Sequence, residues 1–300
     1  MTTTTAARPA ASTPRVDGTS KSRKTVFRAE RRPGKFMYLC LIALAFFSGF
    51  PLYWSLVVAS HDNSVLGQTP PPFGLGSNFF INIGRAFDTV PFAKALLNSF
   101  IVSTSITVSV VLFSTLAGFA FAKLKFRGRN ALLLMIVATM MVPTQLGIIP
   151  LYMLMAKTAM IGTLYAVIVP SMVSAFGVFF MAQFLQEAVP NELLEAARAD
   201  GCNTIRMFWH VVLPAARPAA AVLGMLTFMT AWNDFFWPLV VLTPEEPTVQ
   251  VALSTLASGY VQDFSLSLTG TIIATVPLLV LFGLLGKHII GGIMQGAVKG

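Results

Sequence analysis

Ala95-Leu-Leu-Asn-Ser-Phe100-Ile-Val-Ser-Thr-Ser105-Ile-Thr-Val-Ser-Val110-Val-Leu-Phe-Ser-Thr115-Leu-Ala-Gly-Phe-Ala120-Phe-Ala122 is a run of 28 residues without one charge. About 20 predominantly apolar residues carry a helix across a hydrocarbon core roughly 30 Å thick, so this run is long enough for one crossing and too short for two. Four more charge-free runs flank it: Phe36–Ser60, Asn130–Ala156, Thr158–Gln186 and Phe264–Gly286, of 25, 27, 29 and 23 residues. A sixth apolar stretch, Pro218–Pro244, carries a single charge, Asp234. The ten-residue alternation of a transmembrane β-strand is absent. The chain therefore reads as an all-α, polytopic membrane protein with six transmembrane helices.

Composition agrees with the runs. Of 300 residues, 55% are hydrophobic and 11% charged, with a mean hydropathy of +0.72. A soluble domain carries about 25% charged residues, so this chain has too little polar surface to cover itself in water. A soluble enzyme, a disordered chain and a disulfide scaffold are excluded. Cys40 and Cys202, the two cysteines, fall in the first span and in a cytoplasmic segment, where each reads as a small packing residue and no disulfide is expected.

The placement of Lys and Arg orients the bundle. With a cytoplasmic amino terminus, 18 of the 21 basic residues lie inside, leaving Arg85, Lys94 and Lys157 outside. Both termini are therefore cytoplasmic. The net charge of +9 is explained by topology, and no nucleic acid is needed. Residues 1–35 read as a disordered basic tail, 36–60 as the first span and 61–91 as an extracellular loop. Residues 92–290 read as the core, with a cytoplasmic hairpin over 188–214, and 291–300 as a cytoplasmic tail. The first span is too long and starts too late for a signal peptide.

Motifs for chemistry are missing. Gly283-Leu-Leu-Gly286-Lys287-His288 lacks both the spacing and the hydroxyl of a phosphate-binding loop. His61, His210 and His288 are scattered, without metal-ligand spacing. No catalytic site, metal or cofactor of the chain's own is expected.

The cytoplasmic stretch Pro190-Asn-Glu-Leu-Leu-Glu195-Ala-Ala-Arg-Ala-Asp200-Gly201 followed by Cys-Asn203-Thr-Ile-Arg-Met-Phe208-Trp-His-Val-Val-Leu213-Pro214 predicts a helix–turn–helix outside the membrane. Pro190 and Glu192 suit a helix amino end, with Leu193, Leu194 and Ala197 as an apolar stripe. Gly201 supplies a left-handed stop. Asn203 caps a second, short helix that Pro214 is expected to end. Amphipathicity does not name the partner: such a hairpin either packs under its own bundle or seats another protein.

Glu195-Ala196-Ala197, Asp200-Gly201, Phe208, Leu213-Pro214 and Pro218 stand at the spacing of the EAA loop, and the chain resembles the permease subunits of binding-protein-dependent ABC importers. The resemblance runs from about Phe92 to the carboxyl terminus. Trp232-Asn233-Asp234-Phe235 with Pro238-Leu239, and the ending Gly291-Gly292-Ile-Met-Gln-Gly296-Ala-Val-Lys299-Gly300, are similar to the carbohydrate branch, in particular its six-helix maltose-type second permease. The basic tail departs from that pattern.

That resemblance implies an ABC importer type I permease fold in a bacterial cell membrane. It implies a second permease, two cytoplasmic ATPase subunits that bind the ATP, and an extracellular solute-binding protein as partners. The cargo it implies is a di- or oligosaccharide, with cello-oligosaccharides as one candidate. Glu195, Ala196, Ala197, Asp200, Gly201, Phe208, Leu213 and Pro214 would form the coupling site, with Glu195 paired to a basic residue of the ATPase.

Asn233 and Asp234 lie in an apolar stretch, where a lipid-facing Asp costs about 2.5–3.5 kcal/mol. They are expected to face the bundle, either as an interhelical clamp or, with Trp232 and Phe235, as lining of a sugar pathway. Pro51, Pro143, Pro150, Pro170 and Pro277 are expected to mark kinks. Thr243–Asp263 is long for a connection. It reads as a solvated loop or, by the resemblance, as one that reaches into the binding protein. A self-sufficient secondary transporter and a non-transporting scaffold are the competing classes; the first would show repeats and midplane carboxylates, the second leaves Asn233 and Asp234 unexplained.

Overall fold

The computed structural model describes residue 2, residues 34–258 and residues 263–297. Nearly all of the basic tail 1–35, residues 259–262 and residues 298–300 lie outside the described residues. The chain divides into two compact units, Met1–Gly49 and Phe50–Gly300. Among the described residues every regular element is helical.

The first helix, α1, is Lys35–Ala59. Within Met1–Gly49 its large apolar side chains and Cys40 are exposed. Its outer end, Val57–Ala59, is buried. The expected extracellular loop contains an eleven-residue helix, α2, Phe79–Thr89. The founding run becomes α3, Phe92–Lys123.

The run Asn130–Ala156 is broken rather than straight. α4, Arg129–Thr139, and the segment Thr144–Lys157 meet at a 90° bend, with α5 over Ile148–Lys157. Pro143 stands at the break with extended ψ of 127°. It has no N–H to continue a helix, and it excludes the residue before it from helical conformation. Pro150 causes no kink, because it sits in the first turn of α5, where an N–H would have no partner. Among the described residues five helices are long and apolar enough to cross, or six with the bent pair taken as one span.

The next span is α6, Tyr165–Ser171, and α7, Ala175–Ala188. Pro170 ends the first, and Ser174 restarts the second by accepting the Gly177 N–H at 3.1 Å. Helices α8 (Asn191–Ala199) and α9 (Thr204–Met207) form the hairpin. They lead into α10, Leu213–Trp232. After a break come α11, Phe236–Val241, α12, Val249–Ala257, and α13, Phe264–Ala297. The last span and the expected tail form one helix as far as Ala297.

Helix α3 is the axis of the bundle, flanked by α7 and α10. Lipid offers no hydrophobic drive between spans, so close packing holds them. A methyl group on Gly118 would stand 2.8 Å from backbone and Cβ of Met181, and one on Gly177 would stand 2.4 Å from Ser114 Oγ. The two helices thus meet with no room for a side chain. Phe119, Met181, Leu185, Phe208 and Leu223 fill the inner core. Phe92, Phe228, Trp232, Leu256 and Leu266 fill a second, outer cluster.

Candidate functional site

The hairpin is built from local backbone logic. Gly201 has φ of +79°, the left-handed geometry that glycine adopts without a Cβ penalty. Its N–H donates to the Arg198 carbonyl at 3.0 Å, and the Cys202 N–H donates to Ala197 at 2.9 Å. These are the paired bonds of a Schellman stop. Asn203 Oδ1 then accepts the Arg206 N–H at 2.8 Å and opens α9, as the sequence predicts.

The expected end at Pro214 does not occur. Residues Phe208–Val212 form a π turn in which the Leu213 N–H reaches the Phe208 carbonyl. The widened turn shifts the ladder by one residue, so the chain carries Pro214 at the start of α10 without breaking. The hairpin's second helix and the fifth membrane span are therefore one helix, Thr204–Trp232, of 29 residues. At 1.5 Å per residue it is about 43 Å long.

Burial divides the hairpin into two faces. Leu194, Ala197, Met207, Phe208 and Val212 pack into the inner core, with the Phe208 ring 6.2 Å from that of Phe119. Ala197 and Phe208, expected in the docking surface, are instead what fastens the hairpin to its own bundle. Glu195, Ala196, Asp200, Gly201 and Pro214 are exposed, and Leu213 is half-buried. Leu193, assigned to the apolar stripe, is 48% exposed. Lys123 was not anticipated. Its Nζ donates to the Gln186 carbonyl at 3.0 Å and to Asn191 Oδ1 at 3.4 Å, placing a cation on the last turn of α7. Its signal was only that it ends the charge-free run.

A cavity of about 980 Å³ lies between α3, α6, α7 and α10, lined by Ile106, Val110, Val167 and Leu223 and by Thr144, Ser171, Ser174, Thr227 and Thr230. Asn233 and Asp234 line it. Asn233 Nδ2 donates to the Met229 carbonyl at 2.8 Å, and its Oδ1 accepts from Gln250 Nε2 at 3.2 Å. Asp234 accepts from the backbone N–H groups of Phe236 and Trp237, in the first turn of α11. Trp232 is turned away from the cavity. It is 1% exposed, donates from Nε1 to the Ala274 carbonyl at 3.2 Å and stacks on Phe228. Phe235 is exposed but does not line the cavity.

Residues 243–258, after α11, are folded rather than loose. Asn98 Nδ2 holds the Pro247 carbonyl at 3.1 Å, and Ser99 Oγ accepts the Val249 N–H at 2.8 Å. Val249, Ala252 and Leu256 are buried. Two ion pairs pin this face, Lys94 with Glu246 and Arg85 with Asp263. The bond from Lys94 holds the Glu246 carboxyl below its usual range, with Asn98 adding to it. Burial pushes Asp263 up, but bonds from Ser265, the Leu266 N–H and Arg85 outweigh it and leave the carboxyl low.

Comparison with known proteins places this architecture. Residues 111–293 match the family described as binding-protein-dependent transport system inner membrane component. The chain is 36% identical to the arabinooligosaccharides transport system permease protein AraQ of Halalkalibacterium halodurans, over 68% of this chain and 73% of that one. It is 32% identical to the lactose transport system permease protein LacG of Rhizobium radiobacter, over 90% of this chain and 97% of that one. A crystal structure of a bacterial ABC transporter involved in the import of the acidic polysaccharide alginate shares the fold, with a TM-score of 0.72 at 22% identity, covering 84% of this chain and 95% of its counterpart.

Proposed function

The chain belongs to the binding-protein-dependent transport system inner membrane components, multi-pass proteins of the bacterial inner membrane, and from that premise we propose how it works. It is the permease subunit of an ATP-driven sugar importer. It forms half of the pore with a second permease, while two ATPase subunits sit beneath and a binding protein delivers cargo from outside. A self-sufficient secondary transporter and a scaffold both give way to this family. ATP is bound by the ATPase subunits, not by this chain.

One observation carries the coupling reading: the single helix from Thr204 to Trp232 begins in the hairpin and ends one residue before Asn233 in the cavity wall. Glu195, Ala196, Asp200 and Gly201 form the exposed docking face, with Glu195 pairing to a basic residue of the ATPase. The buried contacts of Phe208 keep the hairpin from rocking on its own bundle. Displacement at the docking face then moves the cavity wall as a rigid body, in the way packed helices shift between discrete arrangements.

The cargo is a neutral di- or oligosaccharide. The relatives named for arabino-oligosaccharides and lactose support it. So does a cavity of about 980 Å³, at the upper end of the roughly 300–1,000 Å³ typical of ligand pockets. Threonine and serine hydroxyls and the Asn233 amide suit sugar hydroxyls. Cello-oligosaccharides are the first cargo to assay.

Purification of the tagged chain tests the reading. It should co-elute with a second permease and an ATPase whose hydrolysis rises when sugar-loaded binding protein is added. Asn233→Ala should keep that assembly and its basal hydrolysis but lower uptake several-fold, the equivalent of one hydrogen bond of about 0.5–1.5 kcal/mol. Sugar transport by the chain alone, without ATP, would overturn the proposal, and wild-type uptake in Asn233→Ala would remove that residue from the pathway.

A further inference from the structure

Helix α2 carries three distinct faces. At 3.6 residues per turn, Asn82 and Ala86 share the buried face, on the helix that packs against α13. Arg85, Asp88 and Thr89 share a polar face. Phe80, Ile83 and Phe87, at i, i+3 and i+7, form a third, apolar stripe. Phe80 is 81% exposed and Phe87 39% exposed; Ile83 is half-buried. Ile81, 62% exposed, stands between Asp88 and Arg85 on the wheel and interrupts the polar face. In water a row of large apolar side chains calls for a covering.

Only Val90 and Pro91 separate α2 from α3, so the chain holds α2 at the outer ends of the spans. Phe87 meets Phe92, the first residue of α3, edge-on at 5.4 Å. In the segment before α2, exposed Phe73 lies 5.9 Å from Trp54, which stacks on Phe50 at 6.3 Å. The Tyr53 hydroxyl donates to the Phe73 carbonyl. Tyr53 and Trp54 stand in the outer part of α1, the height at which aromatic side chains mark a membrane–water interface. The Arg85–Asp263 ion pair at 2.6 Å sits on the opposite, polar side of α2.

We propose that α2 is an interfacial helix, with Phe80, Ile83 and Phe87 seated in the outer leaflet and Arg85 and Asp88 turned toward headgroups and water. Its partner is the lipid bilayer. An amphipathic helix of this pattern lies in the interface plane with its apolar face among the upper acyl carbons, and here the two-residue link to α3 keeps it at that level. The proposal rests on the topology of the spans and not on the cargo, so it stands or falls separately from the transport reading.

Collision measurements with nitroxide labels decide it. In a Cys40→Ser, Cys202→Ser background, labels at Phe80→Cys, Phe87→Cys and Asp88→Cys are placed in the full assembly in lipid nanodiscs. Labels at 80 and 87 should collide with oxygen, which partitions into lipid, and be shielded from a water-soluble nickel chelate. Their oxygen-to-nickel ratio should exceed that of the label at 88 several-fold. Nickel access at 80 equal to that at 88 would mean a solvated helix. Shielding from both reagents would mean that another protein covers the stripe. Either result overturns the proposal. Should Phe80→Cys lower the yield, Phe80→Trp with brominated lipid gives the same test: quenching of the added fluorescence supports it, and its absence contradicts it.

Discussion

The ring of Phe208 lies 6.2 Å from that of Phe119, joining the cytoplasmic hairpin to α3 and to the bundle core. Phe208 is buried, and its neighbours Ile205 and Trp209 are exposed. The hairpin is therefore anchored on one face and presented on the other.

Phe208→Ala should loosen that anchor. In well-packed cores Phe→Ala costs about 3–5 kcal/mol, and here the loss falls on the attachment of α8 and α9. The variant should still insert, yet lose most of the cargo-stimulated part of ATP hydrolysis, and α8 amides should exchange faster. Phe208→Leu should keep most of both. Unchanged exchange and stimulation in Phe208→Ala would show that the anchor lies elsewhere.

Gly201→Val places a β-branched side chain at φ of +79°. A left-handed residue with a Cβ costs roughly 1–2 kcal/mol, and a branched one costs more. No atom lies within 4 Å of a Cβ added there, so the effect is backbone strain alone. Gly201→Asn should retain most of the stimulated ATP hydrolysis in the assembled complex, and Gly201→Val should lose it. Equal activity of the two would argue against the strained turn.

Gly118→Ala tests the helix crossing. The added methyl would stand 2.8 Å from the Met181 backbone, and backbone cannot swing aside. Overpacking of this kind costs about 1–3 kcal/mol. The purified assembly should unfold at a lower temperature, whereas Gly283→Ala, with nothing within 4 Å, should leave the midpoint unchanged.

The outer ion pairs set a pH dependence. Glu246 and Asp263 are held below their usual values of 4.5 and 3.8. A depressed carboxyl stabilises the fold fully above its unfolded pKa, and that contribution is lost as pH falls through the folded one. Thermal stability should therefore be level near neutrality and decline at acid pH, below the ordinary carboxylate range. Glu246→Gln with Asp263→Asn should start lower at neutral pH and decline less. A parallel decline in both proteins would place the acid sensitivity elsewhere. Both groups are partly exposed, so the difference is modest and shrinks in high salt.

The parts legible in the sequence are those set by neighbours along the chain. Charge-free runs gave the spans, basic residues their direction, and Gly201 and Asn203 the turn and cap, because each acts within a few positions. The rest depends on distant partners. Trp232 reads as a pathway aromatic until Ala274, 42 residues away, fixes its indole inside the bundle. The folded outer segment depends on Ser99 reaching Val249 across 150 positions. Pro214 reads as a stop because a π turn has no sequence signature; the widened ladder forms where Phe208 and Val212 seat in the core. The bend at Pro143 was expected as a kink, but its 90° size was not.

Whether hairpin and cavity wall move as one body along Thr204–Trp232 is read from the distance between nitroxide labels at Glu195→Cys and Thr230→Cys. Both positions are exposed, one on the proposed docking face and one lining the cavity. The measurement is made in the complete assembly, without nucleotide and with ATP trapped. A rigid connection gives the same narrow distance distribution in both states. A shift approaching one helical turn, about 5.4 Å, or a marked broadening on adding ATP would place a hinge at Phe208–Val212 and contradict it.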